Sequence, residues 1–141
     1  MEGLAPAYLS DIATQIGALS AFLGGFAATF LGTLLALGLK GRTASVAIGF
    51  AVVSSVAFIA AVVASTALVA LLHPDAPKAV ASVSSAGPRA LMTLAFLLGL
   101  YALLVSLGIS GWTRSRGTGL TTSVAAGLSL VLVTTMLVGI G

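Results

Sequence analysis

The residues able to do chemistry are few, and most of them gather on the first apolar run of the chain. Asp11, Thr14 and Gln15 occupy its opening turns, and Thr29 and Thr33 lie further along it. Repeated around a symmetry axis, Asp11 would form an acidic ring, a device that cation pathways use at their mouths. The competing assignment for Ser10 or Asp11 is a helix N-cap, whose side-chain oxygen accepts from the orphan amides of the first turn. His73 and Asp75 flank Pro74, but the chain has a single histidine, so a metal cluster is not expected and a turn accounts for the pair. Cysteine is absent, which removes thiolate catalysis, disulfides and cysteine-based metal sites. Serines are plentiful, yet no base stands within the apolar runs to activate one. Phosphate loops, nucleophile elbows and paired carboxylates are missing as well. The expectation is a protein that is not an enzyme and uses no cofactor or metal.

The elements that must position these residues are four runs, about 12–39, 43–72, 90–111 and 118–140, that contain no Asp, Glu, Lys, Arg or His. Charged residues make up 6% of the chain, against about 25% in soluble proteins, and the mean hydropathy is +1.21. A hydrocarbon core about 30 Å thick needs about 20 apolar residues in a helix, and every run reaches that length. The fold class expected is therefore an all-α integral membrane protein, a four-transmembrane-helix bundle over 1–141 as one domain. The first run is too long for a signal sequence and lacks a basic leader, so it reads as a retained span. Intramembrane carboxylates and histidines, on which proton-coupled transporters rely, are missing, and so is the arginine ladder of a voltage sensor.

Six scattered cations give a net charge of +3. They form no basic stripe and have no aromatic platform beside them, so the expected surroundings are a lipid bilayer and not nucleic acid. Lys40, Arg42, Arg114 and Arg116 fall in two short hairpin loops, whereas Lys78 and Arg89 fall at the opposite ends of the runs. The positive-inside bias then puts the hairpin loops in the cytoplasm and both termini outside. The Ala/Gly/Val richness suggests a bacterial inner membrane. Trp112 beside Arg114 reads as an interfacial anchor, with indole at headgroup level and guanidinium in water.

The first run carries small residues along two adjacent lines: Ser20, Gly24, Ala28, Gly32, Ala36, and Ala13, Gly17, Ala21, Gly25, Thr29, Thr33. Residues four apart stack on a helix, so these lines make a broad face that lets backbones approach closely in lipid. Gly17, Ser20, Ala21, Gly24, Gly25, Ala28 and Gly32 are the expected helix-packing interface, either within the chain or between copies. The functional expectation is a homo-oligomeric channel with this helix near the axis, its pore or mouth carrying Asp11, Thr14, Gln15, Thr29 and Thr33. The alternative is an accessory or scaffold subunit that binds a partner membrane protein through the same face. Gly24→Leu and Gly32→Leu should both disrupt assembly, while Leu103→Ile on the Leu-rich third run, expected to be the most lipid-like, should not. Intramembrane hydroxyls are expected to bond back to their own helices.

The small-residue first helix, and Leu97-Leu98-Gly99-Leu100 followed by Trp112 and Arg114, resemble the four-helix subunits of Orai calcium channels. In those channels the first helix lines an oligomeric pore. The inferred orientation and the absence of a basic cytoplasmic segment on helix one depart from that pattern, and no family is assigned from it.

Overall fold

A computed structural model describes residues 5–140 of the chain. Helices α1 (Pro6–Ala36), α2 (Arg42–Leu72), α4 (Ala86–Ser110) and α5 (Arg116–Ile140) are the long elements. A four-residue helix, α3 (Lys78–Ala81), lies in the loop between α2 and α4, and a 3-10 turn, Gly111–Thr113, extends α4. The four long helices are long and apolar enough to cross a membrane. At about 1.5 Å per residue, the 31 residues of α1 and of α2 are each longer than a hydrocarbon core about 30 Å thick, so either helix would have to tilt or project in crossing one.

The helix ends depart from expectation. α1 begins at Pro6 and not near residue 12, because proline at the first helical position gives up an amide that would have no partner anyway. Its N-cap is Ala5, with no side-chain cap bond. Ser10 and Asp11 therefore lie inside the helix, which overturns the cap assignment for both. α1 ends at Ala36, short of residue 39, where Gly38 takes a φ of 59°. Gly41, with φ 113°, turns the chain into α2. Positive φ at both positions is what glycine permits. α4 starts at Ala86 and so includes Arg89, with Pro88 still in the first turn.

Packing follows the small residues. α2 packs on α1 along one side and on α4 along another, and α5 lies against α4 and the 3-10 turn. The α1 backbone comes close to only a few residues of α4 and, among the described residues, to none of α5. The arrangement is an open row in the order α1, α2, α4, α5, not a closed bundle. α2 supplies buried Ala44, Ala47, Ala51, Ser54, Phe58, Ala61, Ser65 and Leu68, spaced alternately three and four apart. α4 answers with Met92, Ala95, Gly99, Ala102 and Ser106 at the same alternation. That is the seam of near-parallel or antiparallel helices packed side by side.

Two hydroxyls cross the α2–α4 seam in opposite directions. Ser54 Oγ donates to the Gly99 carbonyl at 2.9 Å, and Ser106 Oγ donates to the Ala47 carbonyl at 2.7 Å. These two depart from the expected back-bonding, which Ser55 and Thr66 do follow. Phe58, wholly buried, lays its ring where a Gly99 side chain would be and meets Phe96 edge-on at 6.1 Å. The α4 helix is thus a core helix, and its assignment as the most lipid-facing one is corrected. Leu103 is 4% exposed and packs with Ala27 and Phe58, so it is no neutral control position. The least buried of the long helices is α5, most of whose described side chains beyond Leu120 are exposed or half-buried.

Candidate functional site

α1 presents two small-residue seams side by side, and only one of them is filled. The filled seam runs through Ala13, Gly17, Ser20, Gly24, Ala27, Leu31 and Leu34, alternately four and three apart, all buried or half-buried. A Cβ placed on Gly17 would stand 2.5 Å from Ser65 Oγ, and one on Gly24 would stand 3.1 Å from Phe58 Cβ. These glycines are where the α1 and α2 backbones come together.

The second seam, Thr14, Ala18, Ala21, Gly25, Ala28 and Gly32, repeats the same four-three alternation one position further on, and every member is exposed. A Cβ on Gly25 or Gly32 would meet nothing within 4 Å. The expected interface is therefore divided: Gly17, Ser20 and Gly24 pack within the chain, while Ala21, Gly25, Ala28 and Gly32 are left without a helix. Beyond it, on the far flank, stand Leu19 and Phe26, 53% and 47% exposed.

Opposite α2, between these flanks, lie the polar residues of the expected pore. Asp11 and Thr29 are 18 positions apart, about five turns at about 3.6 residues per turn, and share one line; Gln15 and Thr33 share the next. All four are exposed. Thr14 does not join them, since it sits on the second seam. The hydroxyls of Thr14, Thr29 and Thr33 donate to the carbonyls of Ser10, Gly25 and Thr29 at 2.9, 2.9 and 3.0 Å, which leaves each oxygen its acceptor capacity. Sequence reasoning missed Phe22, which interrupts this strip midway and is 73% exposed. Its 11-residue offset from Asp11, about three turns, was the available signal.

Ser20 is also unusual. Its side chain is completely buried, and its Oγ is, among the described residues, the buried polar side-chain atom left without a hydrogen-bond partner. It borders a groove of about 330 Å³ that includes Ala21, Gly25 and, from α2, Phe58 and Val62. The groove joins the two seams.

The expected anchor residues lie where α4 meets α5. The Trp112 indole N–H donates to Ser123 Oγ at 2.7 Å, and its ring covers Gly119 so closely that a Cβ there would clash. Trp112 thus clips α5 to α4 while 47% of it remains exposed. Ser123 and Thr122 both reach the Gly108 carbonyl at 3.2 Å, and Tyr101 and Thr134 bond at 2.9 Å. Arg114 is exposed and borders a cavity between this turn and the end of α1.

At the other end, the Asp75 amide donates to His73 Nδ1 at 3.2 Å, which is a local turn. No group of three or more metal-ligating side chains occurs among the described residues. In comparisons with known proteins, the chain matches no family model, no curated sequence and no solved structure.

Proposed function

We propose that the protein is a channel-forming membrane subunit that assembles as a homo-oligomer with α1 around the axis. The observation that carries this reading is the three-part outer surface of α1: an unfilled small-residue seam, a bulky flank, and a polar strip between them on the side away from α2. In a closed ring each helix meets its neighbours through two different flanks. The Leu19–Phe26 flank of one copy would enter the Ala21–Gly25–Gly32 seam of the next, and α2 would stand outside. Asp11 and Gln15 would then ring one mouth, and Thr29 and Thr33 would line the other half. Phe22 would form an apolar constriction between them, of the kind that gates by dewetting. Positive-inside loops orient the subunit with Lys40, Arg42, Arg114 and Arg116 toward the cytoplasm of a bacterial cell and both termini outside.

A second reading is a non-conducting accessory subunit whose α1 seam holds a helix of another membrane protein. It is favoured by Phe22, which breaks the polar strip, and by the threonine hydroxyls, whose protons are already given to their own helix. Purified protein in planar bilayers separates the two. Conduction is expected, with cation preference lost in Asp11→Asn and current raised in Phe22→Ala. An oligomer that passes no current at any voltage or ionic composition, or a monomer that co-purifies with a stoichiometric partner, would remove the channel reading.

A further inference from the structure

The basic end of the molecule holds a cavity that shares Thr33 with the channel reading and otherwise lies outside it. It measures about 510 Å³ and lies between the last turns of α1 and the α4–α5 connection, within the roughly 300–1,000 Å³ of small-molecule sites. Its two sides differ in chemistry. Phe30, Leu34 and Leu37 of α1 make a mostly apolar wall with Thr33 among them, and Arg114 with Thr113 and Thr118 makes a polar one. α1 and α5 make no close backbone contact among the described residues, so the cavity lies in an open crevice between them.

The charge at this end is one-sided. Lys40, Arg42, Arg114 and Arg116 all stand at the ends joined by the two short hairpins. The described carboxylates, Asp11 and Asp75, belong to the opposite end, and Glu2 precedes α1 in sequence. Four cations thus share a membrane face with no described carboxylate. Basic crevices between transmembrane helices at the cytoplasmic surface suit anionic lipid headgroups. Arginine is suited to them in particular, since its fork matches phosphate oxygens two at a time.

We propose that this crevice binds an anionic phospholipid, with the headgroup phosphate on Arg114 and the upper acyl chain along Phe30, Leu34 and Leu37. The lipid would bridge α1 and α5, the two outer helices of the row, whose described backbones do not approach each other closely. The apolar wall beside the guanidinium is what selects a lipid over a free anion. Thr33 apart, its lining takes no part in the conduction path of the channel reading, and the site needs only that the chain be in a membrane.

Native mass spectrometry of the full chain, with phosphatidylglycerol or phosphatidylcholine added, tests the assignment. Phosphatidylglycerol should bind in preference, and inorganic phosphate in excess should not displace it. Arg114→Gln should weaken phosphatidylglycerol binding about fivefold or more, as expected for one interfacial cation with added hydrogen bonds. Leu37→Trp, which fills the apolar half and keeps the charge, should weaken it similarly. Arg42→Gln removes an equal charge at the same end outside the crevice and should change binding less than about twofold. Equal binding of the two lipids would overturn the proposal. So would equal losses in Arg114→Gln and Arg42→Gln, which would mean diffuse surface attraction. Displacement by phosphate would reassign the site to a soluble anion.

Discussion

The two seams of α1 are nearly the same in sequence and opposite in circumstance. Gly17 and Gly24 sit seven residues apart and press against Ser65 and Phe58 of α2. Gly25 and Gly32 sit seven apart as well, and nothing stands where their side chains would be. In lipid, burying apolar surface does not by itself drive helices together, so small residues matter because they let backbones approach and dispersion contacts accumulate. The filled seam shows what that geometry achieves within one chain. The unfilled seam has the same spacing and no residue larger than threonine through Gly32, and stability of the single chain gives no reason for it.

The largest effect should come from the aromatic that closes the filled side. Phe58 lies against Gly99 of α4 and packs with Ala27 of α1 and Leu103. Phe58→Ala would open a cavity at the junction of three helices. Such truncations cost about 3–5 kcal/mol in water-soluble cores, and in lipid the packing share of that remains, roughly 2 kcal/mol or more. Thermal unfolding of detergent-solubilised monomer should show the loss, and a midpoint unchanged from the parent would mean that the three helices do not meet through this ring.

Next in size is the contrast between neighbouring glycines. Gly24→Leu must displace Phe58 or separate α1 from α2, an overpacking worth about 1–3 kcal/mol. Gly25→Leu and Gly32→Leu point into unoccupied space and should leave the monomer within about 0.5 kcal/mol of the parent. In the assembled protein the order reverses in kind: Gly25→Leu and Gly32→Leu should abolish the oligomer while the fold persists. Mass photometry beside unfolding curves reads both. Should Gly25→Leu and Gly32→Leu leave the oligomer intact, the second seam is a lipid-facing surface and the axial placement of α1 fails.

Much of this was legible in the sequence, for reasons that differ by region. The four long helices were plain because no Asp, Glu, Lys, Arg or His interrupts the apolar runs at their centres, which is the composition a helix needs to cross lipid. The two lines of small residues were visible too, but which would be filled was not. Adjacent seams with the same alternation offer α2 equal opportunities by spacing alone. The choice rests on what α2 presents, and Phe58 and Ser65 fit beside Gly24 and Gly17. The α4 helix was misjudged because its leucines dominate its composition, while its packing depends on Gly99, Ala102 and Ser106. The start of α1 was misplaced because Ser10 and Asp11 make good caps in isolation, yet Pro6 could open the helix earlier. The basic crevice was beyond reach, since it needs α1 and the α4–α5 turn to be neighbours.

The smallest effects belong to the buried serines, and they sharpen the comparison further. Ser106 donates across the α2–α4 seam, so Ser106→Ala should destabilise by about 0.6 kcal/mol, the average for interhelical hydrogen bonds in a membrane protein. Ser20 is equally buried on the α1–α2 seam, but its hydroxyl has no partner. An unsatisfied buried hydroxyl is a liability that alanine removes, so Ser20→Ala in the monomer should be neutral or stabilising. The pair therefore predicts a loss at one site, and no loss or a gain at the other, for the same change at two equally buried positions. The oligomer adds a third outcome. If Ser20→Ala weakens assembly while leaving the monomer unharmed, the groove beside Ser20 holds an acceptor supplied by the neighbouring copy, and the two seams act as one surface. If assembly is untouched, Ser20 belongs to the filled seam alone, and the contact between copies begins at Ala21 and Gly25.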